Sequence, residues 1–134
     1  MSGPRFAPAI SRGILRAASV VLLLQGLFAW AMLLGIAMPG ADLSSLPGAT
    51  RNLLVTNAVL CPVAAIGAWF VSEWGPVLWF CAAVSLGIGL AVSVPLGPAL
   101  LAAFALHLLL LPAWLVTAMR LERRADRSRP EAID

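Results

Sequence analysis

Charge is what this chain has least of. Of its 134 residues 11% are charged and 61% apolar, whereas soluble domains carry nearer a quarter and a half, so a water-soluble bundle is a poor fit. Lysine is absent, and no acidic side chain falls within four apolar stretches, 14–37, 52–72, 76–95 and 98–119, whose only arginine is Arg16. Each stretch has the length an α-helix needs to cross the hydrocarbon core. The connections between them hold only a few residues, which leaves room for a single domain over 1–134 and none for a separate extramembrane catalytic fold.

Groups that carry chemistry are equally scarce. One histidine and two cysteines are present. Cys61 and Cys81 lie inside the spans at different depths, where buried thiols are expected and a disulfide framework is not. A membrane b-type haem takes two axial side chains, which one histidine supplies only across a symmetric dimer. A metal site would need His107, Cys61 and Cys81 to converge from three helices without a carboxylate, so neither metal nor cofactor is expected. No phosphate loop, nucleophile elbow or paired-acid motif occurs, so the chain reads as non-enzymatic, and no nucleic-acid-binding motif accompanies the net charge of +3.

What is there is arginine, placed at the two ends. Arg5, Arg12 and Arg16 lead into the first stretch; Arg120, Arg123, Arg124, Arg127 and Arg129 follow the last. The positive-inside rule then puts both termini in the cytoplasm, which an even number of spans allows, and Arg51 is a single exception in the outer loop 38–51. The natural partner of these arginines is the anionic inner leaflet of a bilayer. The first stretch is too long for a cleavable signal's apolar region and reads as an uncleaved helix. Asp42, in the outer loop, is too isolated to suggest a metal site.

Between the second and third stretches runs Ser72-Glu73-Trp74-Gly75-Pro76, short enough to make those helices an antiparallel hairpin. Gly75 is expected to supply a left-handed turn position and Pro76 to open the next helix. Trp69, Trp74 and Trp79 flank the turn. Indoles favour the headgroup level, so the three read as an aromatic belt, or together with Glu73 as a docking edge for another protein.

Helices in lipid associate through close packing and interhelical hydrogen bonds, so small residues four apart mark contact faces. Ala83, Gly87 and Ala91 form one such stripe on the third helix and Ser85, Gly89 and Ser93 another, which would make that helix central. Pro62 and Pro112 interrupt the second and fourth helices; such bends line cavities in transporters and are tolerated in plain bundles. Polar residues within the spans are few, and Gln25, Ser85 and His107 fall near mid-depth, with Cys61 at a similar level. These are candidates for a polar cluster in the bundle core. His107 would either bridge helices as a neutral side chain or relay protons.

Pro62-Val63-Ala64-Ala65, with Gly67 and Trp69, then Trp74-Gly75-Pro76-Val77 with Trp79-Phe80, joined by Trp30-Ala31-Met32-Leu33 and His107, resembles an uncharacterised family of small four-helix bacterial inner-membrane proteins. Residues 16–124 carry the likeness, and Pro112-Ala113-Trp114 departs from it. It implies an all-α transmembrane bundle in a bacterial inner membrane and no established activity, so no catalytic residue transfers. The function expected is an accessory or scaffolding component of a membrane complex, or a homo-oligomer. A small transporter using the site around His107 is the alternative, and a membrane enzyme acting on lipid or quinone a third. Small multidrug exporters, of similar size, rely on an intramembrane carboxylate that this chain lacks.

Overall fold

In a computed structural model, which describes residues 9–36, 46–92 and 97–127, the chain forms four helices: α1 (Ala9–Leu33), α2 (Gly48–Trp69), α3 (Trp74–Ala91) and α4 (Pro98–Arg127). All four are long and apolar enough to cross a membrane. Asp42, Ser93 and Arg129 lie outside the described residues.

Each helix ends where its sequence allows. α1 begins ahead of Ile14 and stops at Leu33, short of Ala37, because Gly35 takes a left-handed φ of 72°. The Ile36 amide then donates to Ala31 O at 2.9 Å and the Gly35 amide to Met32 O at 3.1 Å, a Schellman closure that a glycine enters without strain. α4 runs well past Met119, so Arg120 and Arg123 continue the span as helix. In the hairpin, α3 starts at Trp74, which puts Pro76 in its third position; the amides of a first turn have no helical acceptor, so the proline still forfeits no bond.

The left-handed residue of that hairpin is Val71, at φ 55°, and not Gly75. A β-branched residue pays about 1–2 kcal/mol there. Offsetting this, the Ser72 amide and hydroxyl both donate to Gly67 O, at 3.0 and 2.8 Å, and the Val71 side chain packs against the main apolar cluster. Gly75 is needed for another reason: a Cβ on it would lie 2.4 Å from the carbonyl carbon of Gly67. The two glycines let the hairpin backbones touch, and the Trp74 ring covers Gly67 from the side.

The helices are ordered α3, α2, α1, α4 around the bundle. α1 against α2 is the broadest contact, α2 against α3 the next, and α4 leans on α1 with a thin contact to α3 closing the ring. The centre is therefore the α1–α2 pair and not the third helix. Its alanines explain this: Ala18 and Ala29 of α1 and Ala58, Ala64, Ala65 and Ala68 of α2 are all buried, which brings the two backbones together. The small residues of α3 instead receive bulky neighbours, Leu53 against Gly89 and Phe104 facing Gly87. Of the most apolar window of α4 only 11% is buried, against 44% for α2. Most of its leucines thus face outward, where lipid tails are as apolar as they are.

Pro62 is a packing element. Its ring sits on Gly26, where a Cβ would approach Cδ to 2.6 Å. The Ala58 carbonyl, which the proline leaves without its helical donor, accepts the indole N–H of Trp30 at 2.9 Å.

Candidate functional site

Midway along the bundle one hydrogen-bonded chain passes through all four helices. The Trp79 indole N–H (α3) donates to His107 Nδ1 (α4) at 3.0 Å, His107 Nε2 meets Gln25 Oε1 (α1) at 2.7 Å, and Gln25 Nε2 donates to Asn57 Oδ1 (α2) at 2.6 Å. Asn57 Nδ2 donates to the Ser85 hydroxyl back on α3 at 3.3 Å, and to Leu53 O in its own helix at 2.9 Å. The Ser85 hydroxyl then donates to Ala82 O at 2.8 Å. Cys61 adds a thiol donor to Asn57 Oδ1 at 3.3 Å.

The direction of the chain follows from one group. An indole N–H can only donate, so His107 Nδ1 must accept, the ring is neutral, and its proton sits on Nε2. Gln25 must then turn its oxygen to His107 and its nitrogen to Asn57, and Asn57 must turn its oxygen to Gln25 and Cys61. A donor-only residue at one end orients every amide after it. Burial makes the order worth keeping: Trp79 and His107 have no exposed surface, and Asn57 and Gln25 have 1% and 4%. An unpaired donor or acceptor there costs more than the bond itself contributes.

Of the three candidate residues, Gln25 and His107 touch directly, and Ser85 joins through Asn57. Asn57 and Trp79 complete the chain. The spacing of Asn57 and Cys61, four apart on one helix face, was the available signal for the first. Trp79 adjoins the aromatic turn in sequence but is not part of a surface belt. It lies five residues beyond Trp74, about 140° further round the helix, and therefore points into the core, edge-on to both His107 and Trp114.

The remaining turn residues lie at the surface. Glu73 is exposed, and Trp69 and Trp74 are 49% and 46% exposed. Trp69 supports Arg16, whose guanidinium carbon is 5.5 Å from the ring centroid. This contact brings the start of α1 to the end of α2, so Arg16 and the aromatic turn share one end of the bundle. Among the described residues, no three His, Cys, Asp or Glu side chains come together as metal ligands.

Four membrane-length apolar helices, tied at mid-depth by a polar chain, point to a multi-pass membrane protein. Residues 10–125 match the model of a family of unknown function, DUF6163, and the chain belongs to that family. No curated protein and no solved structure matches it.

Proposed function

We propose that the protein resides in a bacterial inner membrane with both termini cytoplasmic and serves there as a non-enzymatic accessory or scaffolding component of a membrane complex. The observation that carries this reading is the inward closure of the polar chain. Gln25, Asn57, Trp79, Ser85 and His107 spend their hydrogen bonds on one another and on their own backbones. A transported proton or solute would need access to His107, whose surface is fully covered. The orientation is supported by the arginines gathered at the end that holds Trp69 and Trp74, suited to an anionic inner leaflet. The outward leucines of α4, among them Leu101, Leu108, Leu109 and Leu115, offer a face for another membrane helix or a second copy.

Mild-detergent extraction of the tagged protein at native expression, followed by mass spectrometry, tests the role. A reproducible assembly larger than the monomer is expected. An isolated protein that carries a proton-coupled flux in liposomes, abolished by His107→Gln and by His107→Leu, would overturn it in favour of transport.

A further inference from the structure

Below the Arg16–Trp69 contact, α1 and α2 leave a groove of about 290 Å³ lined by Ser19, Leu23, Ala65, Ile66, Trp69 and Phe70. Its floor is closed by the Ser19 hydroxyl, which donates to Ala65 O at 2.6 Å and so adds little polarity. Its walls are outward-facing apolar side chains, Leu23, Ile66 and Phe70. One helical turn before Ser19 on α1, Arg16 is exposed and lies over the indole of Trp69, which lines the groove, and it is paired with no carboxylate among the described residues. From Arg16 to Leu23 is seven residues of helix, about 10 Å toward the membrane centre at the α-helical rise.

A cation at headgroup level above an apolar furrow running toward the midplane has the polarity profile of one phospholipid. We propose that this groove holds an anionic phospholipid, its phosphate on the Arg16 guanidinium and one acyl chain along Leu23 and Ile66. The guanidinium is a planar fork suited to two phosphate oxygens, and resting on an indole face orients it before any lipid arrives. The same Trp69 ring that Arg16 rests on carries an N–H that can only donate. Charge complementarity selects the anionic headgroup, and the furrow selects a lipid over free phosphate.

Native mass spectrometry of the purified full chain in detergent, titrated with phosphatidylglycerol and with phosphatidylcholine, tests the site. The wild type is expected to retain phosphatidylglycerol preferentially. Loss of a charge-assisted bond predicts that Arg16→Gln weakens that preference by about tenfold or more. Arg120→Gln with Arg123→Gln, which lowers the charge of the same end by two, should stay within the roughly fivefold per residue that a surface potential supplies. Ile66→Trp keeps every charge while filling the furrow, and should also abolish the preference. Inorganic phosphate should not displace the lipid. An equal loss per charge in the Arg16 and Arg120/Arg123 variants would overturn the proposal, as would retention by Ile66→Trp or displacement by phosphate. Should Arg16→Gln fail to fold, the Ile66→Trp result decides alone.

Discussion

The indole N–H of Trp30 donates at 2.9 Å to the carbonyl of Ala58, the acceptor that Pro62 deprives of its helical amide. A proline in the interior of α2 is thus tolerated because a neighbouring helix replaces the missing donor. The same proline ring fills the space that Gly26 leaves on α1. Trp30, Gly26 and Pro62 form one interlocking contact, and substitutions within it should not act independently.

Trp30→Phe should strand the Ala58 carbonyl and cost about 1–3 kcal/mol, the range for an unsatisfied buried acceptor. In a Pro62→Ala background the helix supplies its own amide, and the same change should cost little. A double-mutant cycle on thermal unfolding in detergent measures the difference. Equal costs in both backgrounds would show that the indole bond contributes nothing to tolerance of the proline.

Two glycines should respond to alanine with opposite signs. At Gly75 the new methyl meets the backbone of α2, at 2.4 Å from Gly67 and 2.6 Å from Ala68 N, which cannot give way without opening the hairpin. At Gly13 nothing lies within 4 Å, and alanine there gains about 1 kcal/mol of helix propensity. Melting temperatures of the two variants should fall on either side of the parent, and a stabilised Gly75→Ala would refute the close approach.

The polar chain predicts a graded response at its centre. His107→Leu leaves both the Trp79 N–H and the Gln25 oxygen unpaired, and should destabilise by about 0.6–2 kcal/mol for each lost membrane hydrogen bond. His107→Gln retains one acceptor and one donor and should recover part of that loss. Equilibrium unfolding of both variants in mixed micelles checks the order. Leucine proving the milder change would mean that the bonds contribute less than the burial of an apolar side chain.

Topology can be read from two exposed positions between helices, Glu73 and Gly97. With Cys61→Ser, which keeps a donor toward Asn57, and Cys81→Ser, a single cysteine at Gly97 should react with a membrane-impermeant maleimide in intact spheroplasts. One at Glu73 should react only after lysis. The reverse pattern would invert the orientation drawn from the arginines.

Helix number, helix length and the distribution of arginine are properties of the linear chain, and they determine the all-helical, membrane-length architecture without reference to packing. An apolar run of twenty residues has one way to satisfy its backbone in lipid, which is to coil. Lateral arrangement has no such local determinant. Small residues at four-residue spacing occur on every helix, so the stripes of α3 could not reveal that the alanines of α1 and α2 meet more closely. Gly75 is a turn residue by composition, yet its Cα is bare because Gly67 lies against it, while Val71 takes the left-handed position under the hold of Ser72. Trp79 belongs to the aromatic turn by proximity in sequence and to the core by its azimuth on α3. The polarity of Gln25, Asn57, Ser85 and His107 is written in the chain; their order is not. That order depends on helix rotation, and on a single indole that can donate but not accept, so only the tertiary structure decided which polar side chains meet and in which direction their protons point.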